Sequence, residues 1–204
     1  MGNILHTLFN FGKHDMKSLT ALSTRIQGIA SIRSFLFLTL IMFGLGYAML
    51  SSASPSEELM ALADGLNVPD TQFWRSADAL YSQLADYGEY GIHLYLTRVS
   101  PVDLFIPIAQ ALFLSIPITL VFQRAFDTNS VWQLLNTIPF AAMVGDYLEN
   151  ASIATIMLIY PGRLDALASI SALSTAVKFV ASFASIGLIA AGFIIWFIKR
   201  SASK

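Results

Sequence analysis

The chain has 204 residues, 55% of them hydrophobic and only 12% charged, with a net charge of −1. A soluble domain carries about 25% charged residues, so lipid is the indicated solvent, and no basic run points to a nucleic-acid partner. Cysteine is absent, which excludes disulfides, thiolate metal sites and cysteine nucleophiles; His6, His14 and His93 are too scattered for a metal cluster, and no cofactor motif is present.

Residues 1–33 read as a basic, weakly amphipathic arm. Leu19, Leu22, Ile26 and Ile29 fall at helical spacing, and Asp15 is a candidate cap for the helix start. Such an arm lies on the cytoplasmic leaflet or docks a partner. Residues 34–51 form the first hydrophobic run. Ser51-Ser52-Ala53 resembles a cleavage site, but the polar segment before the run is too long for a signal peptide, so a retained transmembrane helix is expected. Gly44 and Gly46 offer it a close-packing surface.

Residues 53–100 are polar, acidic and rich in aromatics, as suits a small helical cap at the outer membrane surface. Ser54-Pro55-Ser56-Glu57 has the form of a helix start and Gly65 of a stop. A second helix is expected from Asp70 or Thr71 through Phe73, Trp74 and Tyr81, with Gly88 able to end it. Arg98 stands five residues before Asp103, and the two can pair.

The second crossing is expected over residues 102–122, with Asp103, Pro107, Gln110 and Pro117 on one face. The third, 132–160, has Trp132 and Tyr160 as belt residues and Pro161-Gly162 as its stop. Near its middle lie Asp146, Glu149 and Asn150 at i, i+3 and i+4, which is one helix face. Each ionisable group there costs about 2.5–3.5 kcal/mol to insert, so it needs a partner, a cavity or a lost charge. The fourth crossing, 170–198, carries a stripe of Ser171, Ser174, Thr175, Lys178, Ser182 and Ser185. At about 1.5 Å per residue, Glu149 and Lys178 fall at the same level in the outer half.

The sequence therefore predicts an all-α integral membrane four-helix bundle, residues 34–204, with an extracytoplasmic cap between helices one and two. The lysine and arginine distribution puts both termini in the cytoplasm. Asp146, Glu149, Asn150 and Lys178, with Asp103, Gln110 and Arg98 near the mouth, would form an outward-opening polar site. Three roles follow: a site that binds or passes a small ion, lipid or amphiphile; an accessory subunit of a larger membrane complex; or an intramembrane enzyme acting on a lipid. Membrane lipid is the expected partner, with a homo-oligomer or a membrane-complex partner open, and neither cofactor nor metal is called for. Asn150-Ala151-Ser152 is a glycosylation sequon placed inside a crossing, where it would be unused.

The run Gly145-Asp146-Tyr147-Leu148-Glu149-Asn150, with Ile138-Pro139 before it and Tyr160-Pro161 after it, resembles a group of uncharacterised small four-helix membrane proteins that carry Asp-x-x-Glu-Asn in the third helix. The resemblance covers about the last hundred residues and implies no activity. The layout also resembles claudin-type tetraspans, but their first outer loop carries a cysteine pair that this chain lacks.

Overall fold

The computed structural model describes residues 2–51, 54–66 and 68–202, without the side chains of residues 2–15 and 50. Among the described residues the regular structure is helical throughout: α1 (Gly2–Ile29), α2 (Ile32–Leu50), α3 (Pro55–Leu62), α4 (Ala77–Leu94), α5 (Ser100–Asp103), α6 (Ile106–Ala125), α7 (Ile138–Ile159) and α8 (Asp165–Ala202). Short 3-10 turns occupy Pro69–Thr71 and Val131–Thr137, and a π-helical turn, Tyr95–Val99, joins α4 to α5. Three stretches are long and apolar enough to cross a membrane: Ile32–Met49, Ala77–Ala125, whose apolar part is α6, and Asp165–Ala202. With 22 residues α7 is also long enough. Its Asp146, Glu149 and Asn150 are what lower its apolarity. Two residues of the cleavage-like Ser51-Ser52-Ala53 lie outside the described residues.

Helix α1 runs through Asp15 rather than starting there. Its buried face is Ser23 and Ile26, while Leu19 and Ile29 are exposed, so the expected apolar stripe is only partly used. That face docks on the chain itself. The Ser23 hydroxyl donates to the Gln133 carbonyl at 3.1 Å, and Asn136 Nδ2 donates to the Ser23 carbonyl at 3.4 Å. Helix α2 rests on α6, where Phe35 stacks on Phe113 at 5.3 Å. Its outer side presents Phe37, Leu40, Phe43 and Tyr47. A side chain built on Gly44 or Gly46 would meet no atom within 4 Å, so neither serves the close helix contact expected of it.

The cap begins as its sequence indicates. Pro55 opens α3, the Ser54 hydroxyl accepts from the Glu57 amide at 3.2 Å, and the chain reverses at Asp64 and Gly65, both at positive φ. The next helix starts later than expected, at Ala77, capped by Ser76. Arg75 is drawn into the bundle, which holds residues 72–76 out of the helix and leaves Phe73 and Trp74 exposed. Gly88, at φ +57°, kinks α4 without ending it. Of the cap aromatics, Tyr81, Tyr87 and Tyr95 are core rather than interface. They pack with Leu59, Leu80 and Leu84 against Ile153, Ile156 and Met157 of α7 and Ala168 of α8. One apolar core thus joins cap and bundle.

The expected third crossing divides in two. Pro139 opens α7, and the preceding turn is held by its own polar side chains: Gln133 Nε2 donates to the Phe122 carbonyl at 3.2 Å and Asn136 Nδ2 to Thr119 Oγ1 at 3.0 Å. The fourth is longer than expected, 38 residues and about 57 Å. Its first turn joins the cap core through Ala168. Near its end the Lys199 ammonium donates to the Ala125 carbonyl at 2.6 Å, satisfying an orphan carbonyl of α6. Arg124 and Arg200 both lie over Trp196 at this end. The basic side chains therefore gather at one end of the bundle and the cap at the other.

Helices α7 and α8 share the largest interface, and Gly145 sets their approach. A Cβ there would stand 2.9 Å from the Ser174 carbonyl oxygen and 3.1 Å from the Lys178 amide nitrogen, both backbone atoms. Gly145→Ala should therefore cost about 1–3 kcal/mol of stability despite alanine's better helix propensity. Gly44→Ala, in open space, should be neutral or slightly stabilising. Thermal unfolding of both variants in one detergent checks this, and equal melting temperatures would sink the argument.

Candidate functional site

The site is built where the polar face of α7 meets the polar stripe of α8. Asp146 and Glu149 stand at i and i+3. Ser171, Thr175 and Lys178 stand at i, i+4 and i+7, also one face. Close approach at Gly145 brings the two faces into contact.

Glu149 is 0% exposed and lies at the centre. Both terminal nitrogens of Arg75 reach its Oε1 at 3.3 Å, the Thr175 hydroxyl donates to the same oxygen, and the Lys178 ammonium lies 2.7 Å from Oε2. Lys178 also pairs with Asp146 Oδ1 at 3.2 Å and donates to the Asp70 carbonyl at 2.7 Å. The ammonium thus makes two hydrogen bonds and one further ion pair. Arg75, 4% exposed, donates further to the Pro69 carbonyl at 2.6 Å and the Ser171 hydroxyl at 2.5 Å. Its Nε has no partner.

The structure brings Asp146, Glu149 and Lys178 together as their spacing indicates. Asn150 stays out of the cluster, with both side-chain polar atoms buried and unpartnered. Gln110 donates to the Ser182 hydroxyl of α8 at 3.0 Å. Arg98 is exposed and forms no pair with Asp103. Asp103 is 5% exposed, and among the described residues nothing hydrogen-bonds or ion-pairs with it. Its place is fixed by the break between α5 and α6, where the Tyr147 hydroxyl of α7 donates to the Leu104 carbonyl at 2.7 Å.

Arg75 and Asp70 are the residues that sequence reasoning missed. Both lie in the cap, and no periodicity links that segment to α7. A signal existed in the charge count: Asp146 and Glu149 share one lysine within the apolar helices, so a second cation was called for.

Beside the cluster lies a cavity of about 470 Å³. Asp70, Asp103, Asp146, Lys178 and Gln110 form its polar floor, and Met42, Leu45 and Met49 of α2 with Phe179, Phe183 and Ile186 of α8 its apolar wall. The 68–75 segment contributes Asp70 and Thr71 to the lining, and its Val68, Pro69, Asp70 and Arg75 are buried. Phe183 and Ile186, both more than half exposed, mark the open flank between α2 and α8. No group of histidines and carboxylates among the described residues is arranged to hold a metal ion. No protein-family model, curated protein or solved structure matches the chain, so the site is read from its geometry alone.

Removing one partner of a buried pair leaves a charge uncompensated. Arg75→Met should lower stability by about 3–5 kcal/mol and make residues 64–76 the first site of limited proteolysis. Arg75→Met with Glu149→Gln should regain part of that loss. Unchanged proteolysis in the single variant would show that Arg75 does not fasten the cap.

Proposed function

We propose that the chain is an integral membrane protein that crosses the bilayer four times, through α2, α6, α7 and α8, and binds a small amphiphile in the cavity beneath the cap. The crossing of α7 is supported by how its polarity is disposed. Asp146 and Glu149 are buried against α8, while Val144, Leu148, Leu158 and Ile159 face outward, so lipid would meet only the apolar side. Both termini are assigned to the cytoplasm, since Arg124, Lys199 and Arg200 share the end opposite the cap.

The observation that carries binding is the cavity's division into a polar floor and an apolar wall with an open flank. At about 470 Å³ it lies within the range of small-molecule sites, roughly 300–1,000 Å³. The floor suits a head group, and the flank between α2 and α8 lets an alkyl chain enter from the bilayer.

Gly46 lines the cavity, and a side chain there meets no atom within 4 Å. Protein extracted gently from its own membrane should carry an amphiphile visible by native mass spectrometry. Gly46→Trp should lose that mass while Gly46→Ala keeps it. The same adduct on all three proteins would place the ligand elsewhere and remove this reading.

A further inference from the structure

We propose that the amphiphile is a single-chain cation, an alkylammonium head on an apolar tail, and that Asp103 is its counter-ion. This deepens the binding reading above and rests on it.

Most donors facing the cavity already serve acceptors of the protein itself. The Lys178 ammonium donates to Asp146 and to the Asp70 carbonyl and ion-pairs with Glu149 Oε2 at 2.7 Å. The Gln110 amide gives one of its two N–H groups to Ser182 at 3.0 Å, and the Thr71 hydroxyl serves the Val68 carbonyl at 2.9 Å. A phosphate or carboxylate head would find acceptors where it needs donors. It would also face three carboxylates, Asp70, Asp103 and Asp146, against the one ammonium. A neutral head would leave Asp103 either protonated or as a buried charge without a partner, and a low-dielectric site penalises the latter heavily.

A cation resolves both problems. Asp103 is nine-tenths buried, unpartnered and part of the cavity lining, so its oxygens are available to a donor or to a quaternary head. Phe179 and Phe183 in the wall add aromatic faces, which attract ammonium groups. A bare metal ion fits poorly, because the floor carboxylates are not gathered about one point and the apolar wall would go unused.

The test uses the full chain in micelles of a neutral polyoxyethylene detergent, with native mass spectrometry reading bound probe. The probes share a dodecyl tail: dodecyltrimethylammonium, dodecyl glucoside and dodecanoate. Tetramethylammonium supplies the head alone. The expected order is cation over neutral and anion by at least about tenfold, the equivalent of about 1.4 kcal/mol, with tetramethylammonium at least about tenfold weaker than its dodecyl relative. Asp103→Asn should remove the preference for the cation while keeping the binding of dodecyl glucoside. Equal wild-type binding of all three dodecyl probes would overturn the inference and leave the pocket reading standing. Binding of none would remove the pocket reading itself. Equal binding of tetramethylammonium would overturn the role of the tail, and undiminished cation preference in Asp103→Asn would overturn that of Asp103.

Discussion

The burial of Glu149 is the constraint to which the rest of the structure answers. A carboxylate with no exposure, midway along a 22-residue helix, must be neutralised by what surrounds it. Lys178 supplies one charge from α8 and fixes the register of α7 on that helix. Arg75 supplies the other from the cap, and its side chain cannot reach Glu149 unless residues 72–76 stay extended. The late start of α4, the burial of Pro69 and Asp70 and the seating of the cap on α7 all follow from that reach. Gly145 is the matching steric condition, since the ion pairs form only if the two helix backbones nearly touch.

Neutralisation is incomplete, and the surplus defines the site. Among the described residues Asp70, Asp103, Asp146 and Glu149 are buried, against buried Arg75 and the partly exposed Lys178. Glu149 and Asp146 spend both cations, so the excess falls on the two carboxylates nearest the cavity's edge. A bundle selected for stability alone would hold fewer charges, because well-packed apolar residues replace buried ion pairs at little cost or some gain. The surplus is what the proposed cationic ligand would offset.

How much of this was legible in the sequence depended on whether the information was periodic. The pairing of Glu149 with Lys178 follows from helical rise and the antiparallel run of two long apolar segments. The starts of α3 and of its reversal at Gly65 follow from local chemistry. Arg75 was invisible because its role is set by a loop path that no spacing rule describes. The stripe on α1 misled for a related reason. Leu19 and Ile29 have the spacing of a buried face, but the contact is decided by Ser23 and Ile26 meeting the polar turn at Gln133 and Asn136. Gly44 and Gly46 misled because small residues permit close packing without requiring it. α2 is held by an aromatic stack instead.

The same distribution bears on whether the site holds a ligand or passes one. A conduit needs polar lining to continue toward the basic end. Below Gln110 and Ser182 the buried polar side chains Ser115 of α6 and Ser185 of α8 are small hydroxyls, and at Gly192 the helices come so close that a Cβ would stand 2.7 Å from Val121 and Phe122 side-chain atoms. The polar groups of that half, Ser23, Thr119, Gln133 and Asn136, are tied into the α1 junction by mutual hydrogen bonds. Polarity is thus concentrated under the cap and closed off beneath it, while the flank between α2 and α8 stays open to the side. On the proposed membrane placement, a pocket open at its flank and narrowed toward Gly192 suits the binding of an amphiphile more than its passage.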